Sequence, residues 1–154
     1  MRISILAIGK FENSPQQTLF LDYAKRLKWK IELKEFELRN AKNLAVPQIK
    51  EGEGRLILQA LRPSTKLIAL DENGQEFSSQ NFSKLISNFG LRGESDLTFV
   101  LGGANGIASE ILQKSSLKLS LGKMTLPHLL ARVILIEQIY RAETIISGHP
   151  YHRE

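Results

Sequence analysis

Apolar positions along the chain follow two alternating patterns, short β-rich runs and longer stripes at helical spacing, which predicts a parallel α/β sheet covered by helices. Residues 2–9 read as a first strand. Ser14-Pro15 then supplies an N-cap followed by proline at the first helical position. This predicts a helix to about Trp29 with Leu19, Phe20, Tyr23, Ala24 and Leu27 on its buried stripe. Residues 30–38 predict a second strand. A helix from Pro47 turns Ile49, Leu56, Ile57, Ala60 and Leu61 inward, with Gly52 and Gly54 weakening its first turns. Lys66 to Asp71 predicts a strand ended by the turn signal Glu72-Asn73-Gly74. A helix over 78–89, a strand over 96–101, a helix beginning near Ile107 and a strand from Leu117 to Leu121 follow. The last helix, from Pro127 to about Ile146, is apolar on nearly every side, so it needs cover on two faces, from its own sheet and from a second subunit.

At 154 residues the chain has the length of one domain, and no repeat, linker or low-complexity tract divides it. Its 42% hydrophobic and 24% charged residues exclude a disordered chain. The absence of cysteine excludes disulfides, thiolate nucleophiles and Cys-based zinc or iron–sulfur sites, and suits a reducing cytosolic compartment. The apolar run at residues 1–10 is too short for an export signal, and no stretch reaches the length of a membrane span, so a soluble protein is expected. Charge is uneven. Residues 1–66 carry 13 Lys/Arg against 7 Asp/Glu, a net +6, whereas residues 67–154 carry 8 against 9, a net −1. The basic segment (Lys25, Arg26, Lys28, Lys30, Lys34, Arg39, Lys42, Lys50, Arg55) either attracts a polyanion such as RNA by counterion release or is a solvated lysine-rich surface.

Three segments are candidates for chemistry. The first is Gly102-Gly103-Ala104-Asn105-Gly106, a glycine turn between strand and helix, where missing side chains permit close approach of a ligand. It fits neither the dinucleotide fingerprint nor the P-loop pattern. After Glu110 the next acidic residue is Glu137, so the carboxylate that would hold an adenine ribose about 20 residues on is missing. The second is Gly122 to His128, a glycine-bearing connection that a parallel sheet would bring to the same edge as the glycine turn and Leu70. The third is the tail His149-Pro150-Tyr151-His152-Arg153-Glu154, rich in stacking faces and hydrogen-bonding groups. Two histidines without a third ligand or a cysteine do not make a metal site, so no metal is expected. Glu137 and Arg141, four apart on the last helix, predict a salt bridge or an interface contact.

The segments Leu70-Asp71, Phe99 to Gly106, Ser120 to His128, Leu130 to Val133, Glu137 to Ala142 and the terminal His149 to Glu154 resemble, in order and spacing, those of the ribosomal RNA large subunit methyltransferase H family. That family is a small member of the SPOUT class of S-adenosylmethionine-dependent methyltransferases. The resemblance spans the whole chain. It implies a single α/β SPOUT domain over residues 1–154 with a parallel sheet and a C-terminal trefoil knot, assembled as a homodimer. It also implies methylation of N3 of a pseudouridine in helix 69 of 23S rRNA on assembled ribosomes. By the same resemblance Leu70, Gly103, Gly122, Lys123, Met124, Thr125, Leu126 and Pro127 bind S-adenosylmethionine, and Tyr151, His152 and Arg153 bind the target and act in catalysis.

The chemistry needs no covalent nucleophile, so the lack of cysteine is compatible with it. A cation such as Arg153 would stabilise the imide anion. His152, Glu154 and water stay open as proton acceptors. Two other classes also stay open: a non-catalytic rRNA-binding assembly factor, which would need the basic segment but not the glycine loops, and a small nucleotide-binding enzyme of another kind.

Overall fold

A computed structural model describes residues 1–153. The elements are β1 (Arg2–Ile8), α1 (Pro15–Arg26), β2 (Lys30–Phe36), a 3-10 turn (Ala41–Asn43), α2 (Val46–Ala60), β3 (Lys66–Glu76), α3 (Ser79–Leu91), β4 (Asp96–Leu101), α4 (Ser109–Lys114), β5 (Leu117–Ser120) and α5 (His128–Ile146). The five strands form one sheet in the order β2-β1-β4-β3-β5, and every pairing is parallel. The α/β class read from the pattern is therefore present.

Alternate residues of the central strands feed two cores. Ile3, Ile5, Ala7, Leu97, Phe99 and Leu101 pack beneath α1, α3 and α5, whereas Leu6, Ile8, Val100 and Ala69 meet Ile57 of α2 and Ile111 of α4. Burial on both faces explains why β1 and β4 read as nearly continuous apolar runs.

Several boundaries differ from the sequence expectation for identifiable reasons. Helix α1 starts as predicted, with the Ser14 hydroxyl accepting from Gln17 N, but it ends at Arg26. The N–H groups of Lys28 and Trp29 instead donate to the buried Glu143 carboxylate of α5, at 3.0 and 2.8 Å. On the α1 stripe Phe20 is buried and Tyr23, Ala24 and Leu27 pack against the core, but Leu19 is 48% exposed because the stripe centres one residue later. Strand β3 does not stop at Asp71. Residues 71–74 leave the ladder as a bulge, so Leu70 and Gln75 both oppose Leu119 of β5. The turn chemistry was correctly legible: Asn73 N–H donates to Asp71 Oδ1 at 3.1 Å, and a Cβ on Gly74 would lie 2.6 Å from the Lys118 carbonyl.

The two glycines of α2 also have packing reasons. A Cβ on Gly52 would lie 2.8 Å from Leu38 Cδ1, and one on Gly54 2.8 Å from Ala108 Cβ, so α2 approaches its neighbours more closely than alanine would permit. Helix α5 crosses its sheet face from one edge to the other. Its first turn lies beside Gly9, at the end of β1, and its Glu143 meets the residues that precede β2.

Candidate active site

Because all strands are parallel, their C-terminal ends gather at one edge, where the loops after β3, β4 and β5 meet the start of α5. They enclose a crevice of about 190 Å³. Leu70, Leu101, Leu121 and Leu126 give it apolar walls, Gly102, Gly103 and Gly122 leave room against the backbone, and Asp71 and Glu72 place carboxylates on its border. Of the residues expected here, Leu70, Gly103, Gly122, Met124, Thr125 and Leu126 line the crevice. Lys123 and Pro127 belong to the same loop but are not among the lining residues; Lys123 is exposed and Pro127 is the N-cap of α5. A second cavity, of about 270 Å³, continues past Leu121 and Gly122 toward Phe77, Ser79 and Gln138.

The glycine turn is held closed by Gly106 N–H donating to Gly103 O at 3.1 Å. A Cβ on Gly103 would meet Ile8 Cγ2 at 3.0 Å and the Glu53 carboxylate at 3.4 and 3.6 Å. Nothing in the residue pattern singled out Glu53. It reaches the turn from α2, its Oε2 is buried without a hydrogen-bond partner among the described residues, and burial holds its carboxyl pKa above the ordinary value.

Arg132 was likewise invisible as a site residue. It is fully buried in α5, donating to Ile8 O at 2.6 Å, Gly9 O at 3.0 Å and Glu35 Oε1 at 2.8 Å, with its guanidinium 4.9 Å from the Phe11 ring centroid. Burial pulls its pKa down and Glu35 opposes that shift. This clamp fixes the start of α5, hence one wall of the crevice, against the end of β1.

The tail lies elsewhere. Tyr151 folds back along α5, its hydroxyl donating to Glu137 Oε1 at 3.1 Å and its ring packing edge-on against Tyr140 at 4.7 Å. Arg141 pairs with Glu137 as the spacing predicts, stacks 4.8 Å over the Tyr151 ring and lies 3.3 Å from His152 Nδ1. Burial, then hydrogen bonding with Tyr23 and Glu137, pushes the Tyr151 hydroxyl pKa well up. Tyr151, His152 and Arg153 do not line the crevice of their own chain. The reason is that α5 carries the tail to the far edge before it turns back. Glu154 lies outside the described residues.

A sequence model of the family described as "Predicted SPOUT methyltransferase" matches residues 1–152. The chain belongs to the SPOUT methyltransferase family. Among SPOUT relatives, a Rhodospirillum centenum protein named Ribosomal RNA large subunit methyltransferase H is 42% identical over 153 residues, covering 99% of each chain. The Flavobacterium psychrophilum protein of the same name is 43% identical over 157 residues and covers all of both. Two solved structures share the fold at low identity. One is a probable methylase family protein from Haemophilus influenzae, with TM-score 0.55, 10% identity, and coverage of 99% of this chain and 70% of that one. The other is ribosomal RNA small subunit methyltransferase E from Neisseria gonorrhoeae, bound to S-adenosyl methionine, with TM-score 0.51, 12% identity, and coverage of 95% and 66%.

Proposed function

We propose that this protein is an S-adenosylmethionine-dependent methyltransferase of large-subunit rRNA, acting in the cytoplasm on N3 of a pseudouridine in helix 69 of 23S rRNA in assembled ribosomes. The observation that carries the reading is the crevice, in which three loops remote in sequence present leucines and side-chain-free glycine backbone at one sheet edge. Its features suit the cofactor. The leucines can take the adenine, the glycines allow close backbone approach, and the bordering carboxylates favour a cationic ligand. The names of the full-length relatives add support for the substrate class.

When bound, S-adenosylmethionine supplies a methyl group made electrophilic by its sulfonium. The chain's own task is to align the acceptor nitrogen, exclude water and manage one proton. In this reading Leu70, Gly103 and the loop Gly122, Lys123, Met124, Thr125, Leu126 and Pro127 hold the cofactor. Tyr151, His152 and Arg153 address the base, Arg153 offsetting the imide anion and His152 taking its proton.

The reading includes a C-terminal trefoil knot and a homodimer. The tail lies away from its own crevice, and Leu19, Leu130 and Ile146 leave apolar area uncovered; pairing of two copies would bring a tail to the other copy's crevice. Arg39 and Lys42 follow β2 at the crevice edge, Lys50 lies in the first turns of α2 and Lys123 in the crevice loop. None of the four makes an ion pair among the described residues, which suits a polyanionic partner. Lys25, Lys28 and Lys30, at the opposite edge, are a separate group.

Calorimetry with S-adenosylmethionine, followed by methyl transfer to ribosomes, tests the proposal. Gly103→Val should lose cofactor binding, and Arg153→Ala should bind normally but not methylate. A folded Gly103→Val protein that retains its function on ribosomes would instead identify a non-catalytic RNA-binding factor.

A further inference from the structure

Glu53 is the one carboxylate with a buried oxygen left unpaired among the described residues. Such an oxygen carries an uncompensated desolvation cost, and burial alone accounts for its raised pKa, with no neighbouring cation contributing. The fold brings this group to its position at a further cost. Gly54, a poor helix former, lets α2 close onto Ala108 at the start of α4, and that approach sets Glu53 against Gly103. Gly103, which lines the crevice, leaves only its backbone between Glu53 and that space, and a Cβ there would lie 3.4 Å from Glu53 Oε1. Glu53 does not itself line the crevice but lies directly behind Gly103, which does, and a buried acceptor without a donor one glycine from a ligand crevice points to a donor on the ligand.

Resting on the reading that the crevice holds S-adenosylmethionine, we propose that Glu53 is a cofactor-binding residue whose carboxylate accepts hydrogen bonds from the vicinal ribose hydroxyls. Adenine and the methyl group suit the leucine walls. The amino-acid end is a zwitterion that favours the solvated border, and its own carboxylate would be repelled by Glu53. The diol remains, with two donors on adjacent carbons to match two carboxylate oxygens. A ribose carboxylate was sought after the glycine turn and is absent there; α2, which precedes the turn by some fifty residues of chain, supplies one in space.

The test is calorimetry on the full-length protein and on Glu53→Gln and Glu53→Ala, with S-adenosylhomocysteine and 5′-methylthioadenosine, which keeps the ribose but lacks the amino-acid end. Glu53→Ala should weaken both ligands by about tenfold, as expected for loss of hydrogen bonds to a charged group, and Glu53→Gln by less because its amide oxygen still accepts. A 2′,3′-dideoxy analogue should bind wild type and Glu53→Ala equally, closing the double-mutant cycle. Thermal unfolding should show neither variant less stable than wild type, because each removes an unpaired buried charge. Unchanged affinity for both ligands in folded variants overturns the assignment. So does weakening of S-adenosylhomocysteine alone, which would put Glu53 at the amino-acid end. If wild type binds neither ligand, the cofactor reading itself has failed.

Discussion

Replacing Arg132 by methionine keeps most of the stem volume and deletes the charge, which makes it the sharpest probe of the clamp between α5 and β1. The substitution strands the carbonyls of Ile8 and Gly9 and leaves Glu35 without its cation. Removing one partner of a buried ion pair typically costs about 3–5 kcal/mol. Here Glu35 retains the Phe11 N–H at 2.8 Å and keeps 23% of its side-chain area in solvent, so the low end applies, about 3 kcal/mol. For a domain of this length each kcal/mol moves the midpoint by roughly 2–4 °C, so Arg132→Met should melt about 6–12 °C below wild type. Circular dichroism melts and urea titrations measure this directly. Cofactor affinity, read by calorimetry well below the melting range, should fall as well, because the clamp sets the α5 wall of the crevice. A midpoint within about 2 °C of wild type would refute the claim that this guanidinium holds the two elements together.

Two further outcomes follow from other parts of the structure. The Asp96 carboxyl pKa is held below its ordinary value, first by its hydrogen bond from Arg62 and then by Thr65. Its contribution to stability is therefore present above the unfolded-state pKa and lost as pH falls through the folded one, and Asp96→Asn should flatten the acid limb of the stability–pH curve below about pH 4. An Asp96→Asn protein with an unaltered acid limb would remove that assignment. Gly54→Val pushes a side chain into Ala108 and should destabilise by about 1–3 kcal/mol in urea titrations, with cofactor affinity lowered because Glu53 shifts with the helix.

The strands were legible because β1 and β4 are buried on both faces, so their apolar runs admit few other arrangements. The bulge in β3 was not, since Asn73-Gly74 carries the same signal whether the chain leaves the sheet or rejoins it four residues later; only the Lys118 carbonyl decides. The crevice loops were visible as glycine connections, and the family resemblance named their residues. Glu53 and Arg132 escaped for one physical reason. A charged residue in a helix is by default read as solvated, and its burial depends on which element packs over it. The chemistry of the tail was plain in the sequence, but its place was not, because the edge-to-edge course of α5 determines where it lies.

The sequence separation of the Arg132 clamp has a consequence for the nascent chain. Ile8 O waits for a donor 124 positions later, and Lys28 N–H for an acceptor 115 positions later. Its strand partner β4 begins only at Asp96. Since synthesis runs from the N-terminus, β1 emerges as an apolar ribbon that first meets only α1, β2 and α2, and its native cover is not complete until α5 has left the ribosome. Folding therefore commits at the end of translation rather than along the way, and loop closure over such distances makes the step slow. Over that interval Ile3, Ile5, Leu6 and Ile8 form the segment most in need of chaperone protection.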